Sequence, residues 1–123
     1  LKKNYYPKNP NIQILGQIVT NKDLIKCYDN CDMFILPSYA EAYPQVILES
    51  LSRLKPVIVF NEIKFLKKTF SVGVFNSKRN AKDLQKVISR IAINYSKIQK
   101  KIYKQKIFTQ KNFFIEMNKI FSN

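Results

Sequence analysis

Residues 32–60, DMFILPSYAEAYPQVILESLSRLKPVIVF, decide the fold. Residues 33–36 form an apolar run that Pro37 stops, and residues 57–60 form another that begins directly after Pro56. Short uninterrupted apolar runs are the pattern of strands buried on both faces of a parallel sheet. Between them lie a polar loop, Pro44, whose fixed φ suits the first turn of a helix, and a helical stretch that carries Glu49 inside VILESL. Strand, crossover helix and strand make a βαβ unit. Ligands of open parallel sheets collect outside the carboxyl ends of the strands, which is where the loop 37–43 lies.

Glu41 in the loop and Glu49 in the helix are the candidate functional carboxylates. An ionised carboxylate only accepts hydrogen bonds and takes two hydroxyl protons at once, so it suits a ligand that presents hydroxyl groups. The peptide N–H groups of Tyr43, Gln45 and Val46 open the helix without partners inside it. They can meet an anion at the positive end of the helix dipole, whereas Pro44 has no N–H to offer. Spacing alone leaves a plainer reading open, in which Glu41 caps the helix and Glu49 is a solvated surface charge.

The stretch PSYAEAYPQVILESLSRLKPVIV resembles the signature of the C-terminal, donor-binding domain of GT-B enzymes of glycosyltransferase family 4. Pro37, Ser38, Glu41, Glu49 eight positions later, Pro56, Val57 and Ile58 carry the resemblance, and KDLIKCYDNCDMFILPS is similar to the helix and strand that lead into it. The fold implied is α/β: a Rossmann-like parallel sheet flanked by helices, part of a GT-B C-terminal domain, with long C-terminal helices. The resemblance implies that Glu41 orients the donor sugar as the catalytic carboxylate and that Glu49 holds the ribose of the nucleotide. Tyr43, Gln45 and Val46 would line the diphosphate, and Ser38 would either donate to phosphate or cap the loop. Gly16 stands where a family glycine lets the backbone approach the donor, with a simple turn as the equal alternative. Leu54 stands where the family usually has glycine, and a bulky residue there is expected to need a different turn.

The implied reaction moves a glycosyl group from a nucleotide-diphosphate sugar to a sugar or glycolipid hydroxyl with retention, without metal or any cofactor beyond the donor. The departing diphosphate must then be stabilised electrostatically. The implied partners are the nucleotide-sugar, the acceptor and an N-terminal acceptor domain. Residues 1–123 read as a partial donor-binding domain, truncated on its N-terminal side, with C-terminal helices from about residue 80. The family's basic residues after its first C-terminal strand have no counterpart in it. The implied place is the cytoplasm, with the cytoplasmic membrane face as a further partner.

Composition narrows the alternatives. The chain of 123 residues carries a net charge of +14, mostly from lysine, since Arg53, Arg79 and Arg90 are its only arginines. A nucleic-acid reader would use more of the planar arginine fork and a recognisable aromatic surface, so nucleic acid is not the expected partner. Two other readings stay open: a basic α/β module whose lysines in residues 97–106 contact nucleic-acid phosphates, and a non-catalytic interaction domain built on the terminal apolar residues. The charge would equally attract nucleotides or anionic lipid headgroups. Cys27 and Cys31 have no histidine companion and read as two buried, reduced thiols of a reducing compartment. No apolar run is long enough to span a bilayer.

The remaining elements follow from periodicity. Residues 1–11 read as a loop, 12–19 as a short strand with Gly16, and 22–29 as a helix capped by Thr20 or Asn21. Glu62 reads as a surface charge after the second strand, and residues 71–75 as a strand closing the sheet edge. From Asn80, as cap, Leu84, Val87, Ile88, Ile91, Tyr95, Ile98 and Ile102 predict one continuous helix. Phe113, Phe114, Met117, Ile120 and Phe121 predict a last amphipathic piece, and core packing is the expected role of both stripes.

Overall fold

The computed structural model of the chain describes residues 9–70, 72–105 and 110–122. In chain order the elements are α1 (Asn21–Asp29), β1 (Phe34–Leu36), α2 (Gln45–Ser52), β2 (Val57–Phe60), a 3-10 turn (Asn61–Ile63), α3 (Leu66–Phe70), β3 (Val74–Ser77), α4 (Ala81–Ile93), α5 (Tyr95–Lys104) and α6 (Gln110–Phe121). The three strands are parallel in the order β1-β2-β3, with Ile58 opposite both Ile35 and Phe75. The domain is thus a Rossmann-like α/β sheet flanked by helices.

All four residues of β2 are buried because the strand has a layer on each face. Val57 and Val59 point into one core with Leu36, Ile47, Leu51 and Ile102. Ile58 points the other way, against Val87 and Ile91 of α4. A strand covered on both sides has no polar face, which explains the unbroken run in the sequence.

Several boundaries differ from the sequence expectations. Residues 12–19 form no strand: Ile12, Ile14, Leu15 and Val19 are exposed, and no neighbouring strand pairs with them. Gly16, at φ 68°, interrupts the extended backbone that a strand would need. The last strand begins later than expected, at Val74, because Gly73 sits at φ 92°, outside strand geometry. Ser71, residues 1–8 and the side chains of Phe113 and Phe121 lie outside the described residues.

The predicted continuous helix is two helices. Asn94 ends α4 and opens α5 in a non-helical conformation. The bend lets α5 pass beneath the amino ends of all three strands. Tyr95 Oη donates to Asp32 O before β1 at 2.7 Å, Gln99 Nε2 to Leu54 O before β2 at 3.3 Å, and Gln105 Nε2 to Val72 O before β3 at 3.0 Å. The apolar stripe is continuous, but it serves both faces of the sheet: Ile91 packs in one core and Ile102 in the other. In α6 the described members of the expected stripe differ: Phe114 and Ile120 are exposed, whereas Met117 is half-buried.

Leu54 also corrects an expectation. It adopts φ 59° itself and keeps the turn rather than changing it. Leu54 N–H donates to Leu51 O at 2.9 Å and Lys55 N–H to Ser50 O at 3.0 Å, the paired bonds that end a helix in a left-handed residue. The left-handed conformation costs about 1–2 kcal/mol in an L-residue. Packing of the half-buried Leu54 side chain on the core offsets it.

Gly73 has no such latitude. A Cβ there would lie 2.6 Å from Leu51 Cδ2 and 2.7 Å from Ile102 Cγ1, on a backbone already at φ 92°. Gly73→Ala is expected to lower unfolding stability by about 2–4 kcal/mol, from overpacking plus backbone strain. Urea denaturation of the two chains measures it, and an unchanged midpoint would show that α5 does not press on the sheet.

Candidate functional site

The carboxyl ends of β1 and β2 and the start of α2 meet the loop that follows β1. Pro37 and Ser38 leave β1, and the Ser38 hydroxyl donates to Glu41 Oε1 at 2.6 Å, so the structure joins these two predicted residues directly. In this arrangement Ser38 orients a carboxylate rather than offering its proton elsewhere.

Pro44 is the N-cap residue of α2, one position before the first turn where the sequence placed it. It has no side-chain oxygen to bond the first N–H groups. By contrast, Thr20 caps α1 through Asp23 N–H and Asn80 caps α4 through Asp83 N–H. Among the described residues nothing accepts the N–H of Tyr43, Gln45 or Val46. These groups and the positive end of the helix dipole face outward at the carboxyl end of the sheet. The Tyr43 ring turns away to pack on Phe70, 5.0 Å between centroids.

One turn further on, half-buried Glu49 accepts a hydrogen bond from Tyr28 Oη at 3.0 Å. It is therefore not the freely solvated charge of the plainer reading. Tyr28 is buried in α1, and this burial, followed by its bond to Glu49, raises its pKa well above the ordinary tyrosine range. The phenol stays a donor and holds one face of the carboxylate. Glu49 lines a groove of about 300 Å³ between α1 and α2, floored by Leu24 and Tyr28. Arg53 closes the groove by a forked bond to Asp29, 2.7 Å from each nitrogen, which ties the end of α2 to the end of α1.

Gly16 stands apart. It lies in the exposed segment before α1, with nothing within 4 Å of where a Cβ would be, and no hydrogen bond joins it to the other predicted residues. Its φ of 68° supports the turn reading. The cysteines differ too: both are half-buried rather than buried, and Cys31 lies beyond the end of α1. Burial is the main cause that raises the Cys31 thiol pKa. Among the described residues no acidic, cysteine or histidine cluster can hold a metal ion, and no helix is long and apolar enough to cross a membrane.

Sequence reasoning missed Arg79. Its guanidinium donates to Glu62 Oε1, Pro37 O and Ser38 O, each at 3.0 Å. It also lies 3.9 Å from the Tyr39 ring centroid and 4.2 Å from that of Phe60. One planar fork, held between two rings, thus fixes the loop that carries Ser38 and Glu41. Glu62, read as a plain surface charge, is its counter-ion. The available signal was the rarity of arginine in so lysine-rich a chain, since a lysine cannot make three directed bonds in one plane.

Comparison with known proteins bears on the family of the chain. Residues 3–107 match the family model described as glycosyl transferases group 1. Over 70 residues the chain is 33% identical to an N,N'-diacetylbacillosaminyl-diphospho-undecaprenol alpha-1,3-N-acetylgalactosaminyltransferase of Campylobacter jejuni subsp. jejuni serotype O:2, covering 54% of this chain and 18% of that relative. No solved structure matches significantly.

Arg79→Lys keeps the charge but removes the fork, and it is expected to lower stability by about 1–2 kcal/mol, from two lost bonds to backbone carbonyls. Line broadening of the amides of residues 38–43 should accompany it, with Arg90→Lys as the silent control. Arg79 holds the Glu62 carboxyl below the usual carboxylate range. The pair is therefore intact above the ordinary carboxylate pKa, about 4.3, and is lost as pH falls through the lowered value. An NMR titration of the Glu62 side-chain carbon should show its midpoint rise in Arg79→Lys.

Proposed function

The chain belongs to the group 1 glycosyl transferases, and from that premise we propose that it is the nucleotide-sugar donor domain of a GT-B enzyme of glycosyltransferase family 4. The observation that carries the reading is the uncapped start of α2, set between Glu41 on one side and Glu49 on the other. A diphosphate fits there as the missing cap, bound by the N–H groups of Gln45 and Val46. The nucleoside lies toward the groove between α1 and α2, where Glu49, steadied by Tyr28, accepts the ribose hydroxyls. The donor sugar lies toward Glu41, which Ser38 orients.

The reaction breaks the bond between the anomeric carbon and the diphosphate oxygen, while the acceptor hydroxyl oxygen bonds the same face of that carbon. The acceptor proton passes to the departing phosphate oxygen, so the configuration is retained without a protein nucleophile. The contribution of these residues is electrostatic. Negative charge grows on the diphosphate as it leaves, and preorganised N–H groups stabilise that charge more than the ground state. Arg79 acts through the loop as a positioning residue.

The acceptor comes from outside these elements. We assign its binding to a facing N-terminal domain, and its class to a glycolipid on the cytoplasmic membrane face. The name of the Campylobacter relative, a diphospho-undecaprenol glycosyltransferase, supports that class. The matched segment spans 18% of that relative's length, and transfer by the whole protein is part of this proposal.

An amide NMR titration of the 123-residue chain with UDP and GDP tests the donor site. One of the two should give saturable shifts at Gln45, Val46, Glu49 and Tyr28 that survive 150 mM salt. Glu49→Ala should weaken binding about 10- to 100-fold, the worth of hydrogen bonds to a charged group, and Tyr28→Phe by a smaller factor. Binding that is indifferent to Glu49, or shifts confined to the lysine-rich helices and abolished by salt, would leave the family match as ancestry alone.

A further inference from the structure

A second cavity, of about 360 Å³, lies at the opposite end of the sheet from Glu41 and Arg79. It opens beside the first residues of the edge strand β3, under the bend between α4 and α5. Its floor is apolar and comes from Val72, Val74, Phe75 and Ile98. Its rim is cationic: Lys67 from α3, Arg90 from α4, and Lys97 and Lys101 from α5.

Three facts about this cavity converge. Among the described residues no carboxylate lines it. None of the four cations has an ion-pair partner among the described residues, whereas Lys26, Arg53 and Arg79 all do. The surrounding sequence supplies no counter-charge either: between Asp83 and Glu116 there are eight lysines and arginines and no acidic residue. The charge of the chain is thus unevenly placed, with seven of its eight carboxylates at or before Asp83. Like charges around one opening repel, and an anion held among them relieves that repulsion.

The floor narrows the kind of anion. A free inorganic anion would use the rim and leave the apolar floor wet. A single-stranded nucleic acid would need aromatic faces on which bases stack, and among the described residues the only ring at the cavity is Phe75, half-buried against α4. We infer that this cavity binds a phosphate group carried on an apolar tail, the phosphate at Arg90, Lys97 and Lys101 and the tail on Val72, Val74 and Ile98. Exposed Ile93, at the bend beside Arg90, extends the same apolar surface outward. A bilayer lipid and a soluble phosphorylated amphiphile share this chemistry. The site is separate from the donor site, and neither reading depends on the other.

The test uses the whole 123-residue chain and hexyl phosphate as the probe, at constant ionic strength. Saturable amide shifts at Val72, Val74, Asn94 and Ile98 are expected, at least about tenfold tighter than with inorganic phosphate, as burial of two methylene groups provides. Arg90→Gln, Lys97→Gln and Lys101→Gln together should weaken binding at least about tenfold. The same charge change at Lys22, Lys64 and Lys82 should leave it intact. Amide spectra away from the cavity report that both variants are folded, since all six side chains are exposed. Phosphatidylglycerol vesicles that strip the bound probe identify a bilayer lipid as the source, and vesicles that leave it bound assign a soluble ligand. Equal affinity for inorganic and hexyl phosphate, or equal loss in both variants, overturns the inference. Displacement of the hexyl phosphate by UDP would overturn its separation from the donor site.

Discussion

Burial of β2 on both faces is the constraint on which the rest of the domain depends. Val57, Ile58 and Val59 each pair with a strand on either side, Val57 and Val59 facing one core and Ile58 the other. Neither core exists without the other, because a strand with one bare apolar face would be exposed to water. This requirement brings α2 and α3 to one side and α4 to the other, and it sends α5 around the amino ends of the sheet to join them. Each strand then delivers its following loop to the same end of the molecule, which is how Ser38, Glu62 and Arg79 become neighbours although 41 residues separate the first from the last.

The two ends of the sheet are chemically unlike. At the carboxyl ends, charges are matched and directed: Arg79 to Glu62 and two carbonyls, Ser38 to Glu41, Tyr28 to Glu49. Each group there is held to a partner, the preorganisation that the proposed donor site would need. At the amino ends, α5 satisfies the strand-leading carbonyls with Tyr95, Gln99 and Gln105 and presents lysines outward. Of the three arginines, Arg53 and Arg79 make forked bonds of fixed geometry, whereas Arg90, unpaired among the described residues, stands with the lysines of the amino-end cavity.

Residues 32–60 made the central βαβ unit legible because a doubly buried strand has a sequence pattern unlike any exposed element, and proline marks its limits. Thr20 and Asn80 were legible as caps for the same local reason: each side chain bonds an N–H three residues away. Residues 12–19 misled because alternation records what a segment can pair with, while a strand needs a partner that is actually beside it. The break at Asn94 was invisible because apolar spacing runs unbroken through it. Leu54 was misjudged because the cost of its left-handed backbone is offset by core contacts that lie far away in the chain.

What the amino-acid sequence determined by itself is therefore local or periodic: the buried central strand, the capped helices, the pair of carboxylates on either side of the start of α2, and the charge excess. These properties depend on neighbours within one or two turns of chain. Only the tertiary structure decided the rest. It bent the last long helix around the sheet, gave Glu49 its buried tyrosine from α1, and set Arg79 across two loops. It also gathered four cations from three helices around one apolar cavity. Each of these joins residues from separate elements, and the distance between such elements is set by core packing rather than by any spacing in the chain.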